Sequence, residues 1–125
     1  MSRLYNLMDA LIARTGAVMS GADITTSVPD ATKTNTASIT LPAGVWIVNF
    51  QVGLNVGSSP HTFQATITTT SDNASQQVYS QGVLRHNLTA ILSIEQSTTV
   101  YGTVYHNIGQ AGTALQNKLT AIRIA

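Results

Sequence analysis

Gly44-Val45-Trp46-Ile47-Val48-Asn49-Phe50-Gln51-Val52-Gly53-Leu54-Asn55-Val56 is the stretch whose reading decides the fold. Trp46, Val48, Phe50, Val52, Leu54 and Val56 are apolar at every second position, and Asn49, Gln51, Gly53 and Asn55 between them are polar or small. Only Val45 and Ile47 break the rule. A period of two puts all six large side chains on one face of a pleated strand. The Leu41-Pro42-Ala43-Gly44 run just before it supplies the turn chemistry that launches such a strand. The chain is built to bury one side of long β-strands.

The same alternation spreads outward from this stretch. Ala37, Ile39 and Leu41 alternate with Thr36, Ser38 and Thr40, and Phe63, Ala65 and Ile67 with Gln64, Thr66 and Thr68. Leu88, Ala90, Leu92 and Ile94 follow the rule, as do Val100, Gly102 and Val104 against Tyr101, Thr103 and Tyr105. Val78 to Leu84 is a weaker strand in which Gly82 suggests a bulge. Leu119 to Ile124 closes the chain. Turns are expected at Gly57–Pro60, Ser71–Asn73, Arg85–Asn87 and Gly109–Gly112. Strands at this spacing, with no helix between them, predict an all-β fold: an antiparallel jelly-roll sandwich of about eight strands.

The first residues read differently. Ser2 can cap a helix in which Leu4, Leu7 and Leu11 form a stripe widened by Met8 and Ile12, with Gly16 as its stop. A short N-terminal α-helix of about four turns is not stable alone in water. Its stripe must pack on the sandwich, on a partner, or on copies of itself. The expected organisation is a helical stem or docking peg over 1–15, an extended connection over 16–35 with a short edge strand near Ala17–Met19, and a β head over 36–125.

Composition narrows the function classes. The 125 residues make one domain, and the absence of cysteine excludes disulfides and thiolate metal sites. Only 9% of residues are charged, the net charge is +1, and no Lys/Arg cluster is present, which argues against nucleic-acid binding. No apolar run approaches the ~20 residues of a spanning helix, so membrane insertion is not expected. The N-terminus does not read as a signal peptide, since Asp9 interrupts any apolar region.

A search for chemistry finds little. No G-x-S-x-G occurs, and His61, His86 and His106 fall at a turn-to-strand junction, a turn and a late strand position. The acidic residues are Asp9, Asp23, Asp30, Asp72 and Glu95, four of them in the stem or in turns, which leaves no evident carboxylate pair for glycoside cleavage. No spacing suits a metal. His106 shares the face of Val100 and Val104, so it is either a satisfied core histidine or a residue near a symmetry axis. No catalytic residue, metal ligand or cofactor is expected, and no ligand-binding residue is assigned. Neutral hydrogen-bonding side chains are abundant, which suits carbohydrate contact, although Thr-rich strand faces are also simply good β-formers.

Ile39-Thr40-Leu41-Pro42-Ala43-Gly44-Val45-Trp46-Ile47-Val48-Asn49-Phe50, with Thr99–Tyr105 and the closing Leu119–Ile124, resembles the trimeric jelly-roll heads of the C1q/tumour-necrosis-factor type, especially the small heads on bacteriophage fibres and tail tips. The likeness covers Thr36 to the C-terminus. It departs from the pattern in lacking a collagen-like stalk and the acidic clusters with which some relatives bind calcium. The resemblance implies a non-enzymatic virion protein, exposed on the particle, whose three copies pack around a three-fold axis and contribute to host-surface attachment, with glycan as the favoured ligand. Oligomer contacts are then expected from Leu4, Leu7 and Leu11 of the stem and from Ile91, Tyr101 and Tyr105 on outer strand faces. The helix would also dock other virion proteins, and the loops at Gly57–His61, Ser71–Gln76 and Gly109–Thr113 would face outward. Competing expectations are a capsid decoration or baseplate connector without a receptor, and a secreted carbohydrate-binding module.

Overall fold

The computed structural model describes residues 16–55, 62–69, 76–81 (backbone only) and 85–125. These residues form an all-β sandwich of two antiparallel sheets. The strands are β1 (Val18–Ser20), β2 (Ala22–Asp23), β3 (Ser27–Val28), β4 (Thr34–Leu41), β5 (Gly44–Asn55), β6 (Thr62–Thr69), β7 (Gln76–Gln81), β8 (Arg85–Ile94), β9 (Thr98–His106) and β10 (Gly112–Arg123). One sheet runs β1-β10-β5-β8, with β3 also paired to β10, and the other runs β2-β4-β9-β6-β7. The chain changes sheet at every connection except β6 to β7. The expected N-terminal helix, with Leu4, Leu7 and Leu11, lies outside the described residues, as does the Gly82 bulge.

The decisive stretch is the centre of the first sheet. β5 pairs with β10 on one side and β8 on the other, and its alternating residues Trp46, Val48, Phe50, Val52 and Leu54 are all buried. They meet Ile39, Leu41, Phe63, Ile67, Val100 and Val104 from the second sheet in one continuous core. Burying each large aliphatic or aromatic side chain contributes roughly 1.5–3 kcal/mol, so the two-residue period is the main source of stability. Between Leu41 and the start of β5, Gly44 has φ 149°, which a side chain rarely adopts, and a Cβ there would lie 2.8 Å from Arg123 Cζ.

Three elements differ from the sequence expectation. Residues 16–35 hold the expected edge strand near Ala17–Met19, as β1 on β10, and two strands that were not expected: β2 pairs with β4, and β3 returns to β10. Strands of two or three residues are too short to show a period, yet this strap covers the open side of both sheets. Arg85-His86-Asn87, expected as a turn, is the start of β8, because His86 is opposite Val52 and its ring is buried against the core. The closing strand begins at Gly112, well before Leu119.

Two irregularities face each other across the sandwich. β4 shifts register between Asn35 and Ala37, and β10 between Leu115 and Lys118, where Gln116 has φ 50°. The shifts release Thr36 and Asn117 from their ladders. The Thr36 hydroxyl donates to Asn117 Oδ1 at 2.9 Å, and Asn117 Nδ2 donates to Thr36 O at 2.6 Å and Asp23 Oδ1 at 3.3 Å. Asn117→Ala removes all three bonds, although the Thr36 hydroxyl keeps Gly102 O at 3.3 Å and Thr36 O keeps Ile24 N–H at 2.8 Å. The loss of the amide is expected to lower the unfolding free energy by about 1 kcal/mol. A urea titration checks this, and an unchanged midpoint removes the clasp from the account.

Candidate functional site

Strand direction sorts the connections into two ends. Gly16, the Pro42–Ala43 turn, the strand ends Thr69 and Gln76, Glu95–Ser97 and the C-terminus lie at one end, the stem end. Residues 29–33 and 107–111, with the strand ends Asn55, Thr62, Gln81 and Arg85, lie at the other, distal end. Of the three loops expected to face outward, Gly109–Thr113 is at the distal end. The other two, at Gly57–His61 and Ser71–Gln76, fall on residues outside the described ones, save the backbone of Gln76.

Two described histidines close the distal end. His86 Nε2 donates to Phe63 O at 2.8 Å, with the two rings 4.6 Å apart. His106 is fully buried, and its Nε2 donates to Val28 O at 2.8 Å. A carbonyl only accepts, so each Nε2 carries the proton. Both bonds cross between sheets, β8 to β6 and β9 to β3. On the other ring nitrogen of His106, Ile108 N–H donates at 3.4 Å and Asp30 Oδ1 lies at 3.9 Å. Asp30 in turn accepts from Gly109 N–H at 2.8 Å. Of the two expectations for His106, the satisfied core histidine accounts for these contacts.

The described carboxylates lie on separate elements. Asp23 is on β2, Asp30 follows β3 at the distal end, and Glu95 follows β8 at the stem end. Among the described residues no group of three or more His, Asp or Glu side chains is placed to hold a metal ion. His61 and Asp72 are outside the described residues.

The outer faces of the two sheets carry different chemistry. On β4-β9-β6 the described outer side chains are neutral, and several bond to one another. Thr40 and Thr99 hydroxyls are 3.1 Å apart, Thr68 and Thr103 3.0 Å, and Thr103 donates to Asn35 Oδ1 at 2.7 Å. Tyr101 and Tyr105 stand half-buried among them, opposite Ser38 and Gln64.

On the other sheet, Ile91 lies opposite Ile47, Ile47 opposite Ile122, and Ile122 opposite Val18. One apolar row thus crosses all four strands at the stem end. Ile91 is 68% exposed, Val18 66% and Ile122 43%. The structure therefore does not bring the expected contact residues together: Ile91 is on one outer face, and Tyr101 and Tyr105 are on the other. Sequence reasoning missed Val18, Ile47 and Ile122. The signal available was the break in alternation at Val45 and Ile47, two branched apolar residues on the face that should be polar.

Toward the distal end this same face turns polar. Gln51, Arg85, Asn87 and Gln116, with Val52 and His86, line an open depression of about 270 Å³. It is shallow and carries a single described cation, Arg85. Its polar groups suit hydrogen bonding to a neutral, hydroxyl-rich ligand better than proton transfer.

No protein-family model matches the chain, and no curated protein matches its sequence. Among solved structures, the CBM22-1 xylan-binding domain of Xyn10C from Paenibacillus barcinonensis is similar over 90% of this chain and 99% of its own, with 14% identity and a TM-score of 0.48.

Proposed function

We propose that this chain is a non-enzymatic virion protein of a bacteriophage: a jelly-roll head, trimeric, carried on a fibre or tail tip and contributing to attachment to host-surface glycan. The observation that carries the reading is the strand path. A chain that changes sheet at every connection but one, through β10-β5-β8 against β4-β9-β6-β7, follows the jelly-roll course, the course implied by the likeness of Ile39–Phe50 to phage fibre heads. The dispersal of the described carboxylates and the use of both described histidines as structural donors support a contact protein over an enzyme.

The mechanism has two ends. At the stem end, the 1–15 stripe and outer apolar positions hold three copies together and dock them to the particle. At the distal end, the connections and the depression beside Gln51 and Asn87 meet the host surface. Repeating a weak sugar contact three times raises its avidity by orders of magnitude when the geometry allows simultaneous engagement.

Light scattering on the full chain is expected to return three times the chain mass. A glycan array is expected to show binding, and the bound glycan to release no reducing ends. Release of reducing sugar overturns the non-enzymatic reading. Trimers that join particles but bind no glycan and no host cell point instead to a decoration or connector role.

A further inference from the structure

We propose that the outer row Val18–Ile122–Ile47–Ile91 is a self-association seam, occupied by a second copy of this chain at the stem end of the head. The inference rests on the trimer reading and deepens it, by assigning the contact to one half of one face and removing Tyr101 and Tyr105 from it.

Three observations name the occupant. The first is continuity with the chain outside the described residues. Gly16 N–H donates to Arg123 O at 2.6 Å, which fixes the first described residue after the Leu4-Leu7-Leu11 stripe beside the Val18 end of the row. Copies joined through residues 1–15 have their rows side by side from the start.

The second is charge. The residues paired in the next row along the sheet are Ser20, Thr120, Asn49 and Thr89, and Val45 pairs with Ser93 on the other side; none is charged. Copies can approach here without opposing like charges. Farther along, Lys118 and Arg85 stand on the same face, opposite Gln51 and Gly53. Copies closing over that half would set cation against cation, which costs free energy unless each is paired. The seam therefore ends before Lys118, and the depression beside Gln51 stays open to water.

The third is area. With Ile124 at 41% exposure beside them, the row's side chains leave on the order of 400 Å² of apolar surface, a patch size that on a monomer is often functional. A stable interface needs roughly 800 Å² from each partner. The row is half of that. It fits a contact completed by the stem, in a closed ring where each copy meets two neighbours. It is too small to be a self-sufficient dimer face.

The test uses the full chain in sedimentation velocity across a concentration series, with Ile91→Lys and Ile122→Lys as seam variants and Tyr105→Lys as the control on the opposite outer face. Both seam positions are exposed, so far-UV dichroism should match the parent. The expected result is a trimeric parent, a trimeric Tyr105→Lys, and at least tenfold weaker association in each seam variant. A trimeric parent whose seam variants associate as tightly overturns the seam and leaves the trimer standing. A monomeric parent overturns both, and if Ile91→Lys then lowers its melting temperature, residues 1–15 cover the row of their own head. Equal dissociation of Tyr105→Lys also overturns the seam, because the effect would follow added charge and not the face.

Discussion

Gly102→Ala is expected to lower the unfolding free energy by about 3 kcal/mol, the upper part of the range for forcing a methyl into a close-packed core. Gly102 is on the core side of β9 between Val100 and Val104. A Cβ there would stand 2.6 Å from Phe50 Cδ1, where carbon atoms normally keep ~3.5–4.0 Å. Phe50 is fully buried and held in register between Leu88 and Leu119 on the flanking strands, so its ring has nowhere to swing. Alanine elsewhere in a strand gains ~0.5–1 kcal/mol over glycine from the unfolded chain, and at Gly102 the ring reverses that sign. Phe50→Leu in the same chain should restore part of the loss. The pair is then coupled, as contacting residues are. Urea titrations at one protein concentration provide the four values, since self-association makes apparent stability depend on concentration. A Gly102→Ala variant as stable as its parent would show that the ring does not rest on the glycine.

Trp46→Ala is the other large effect, about 4 kcal/mol by the usual cost of emptying a buried aromatic site. Trp46 is fully buried at the stem end of the core, opposite Leu92 and Arg123 on the neighbouring strands. Its Nε1–H donates to Pro42 O at 3.0 Å, which ties β5 to the turn that precedes it. Arg123 Cζ lies 5.9 Å from the ring centroid, while Arg123 Nη1 donates to Ala43 O at 2.8 Å. Alanine removes the packing, the indole bond and the surface on which the guanidinium rests. Trp46→Phe keeps most of the volume and loses the bond, and should cost about 1–2 kcal/mol. Because Trp46 is the single tryptophan, dichroism and not fluorescence must follow the transition. A loss below 1 kcal/mol for the alanine variant contradicts the packing described.

The strands were legible wherever a period of two ran for four residues or more. β4, β5, β6 and β9 follow from alternation because each buries one face and wets the other. β8 was legible only from Leu88 onward. Arg85-His86-Asn87 has the composition of a turn, and only the acceptor at Phe63 O explains why an imidazole belongs inside. β1 is readable as a short edge strand near Ala17–Met19, but β2 and β3 are hidden for a different reason: their place is set by the edges of β4 and β10, not by their own residues. The same holds for the apolar row. Ile91 was readable as an outer apolar residue, but its alignment with Ile47, Ile122 and Val18 is a property of register, which no single strand encodes. The bulges at Thr36 and Asn117 gave no sequence signal, since neither carries glycine.

The two imidazole clasps have a consequence for how such a head diversifies. Both bonds span the gap between sheets immediately beneath the described distal connections, so part of what holds the rim shut comes from the strands themselves. Apart from Asp30, which accepts from Gly109 N–H, and Asn107, which accepts from Thr62 N–H, loop side chains there carry less of the duty to hold the layers together. Natural variation, or a designer's insertion, can rewrite what the tip touches while the two-layered body beneath keeps its form.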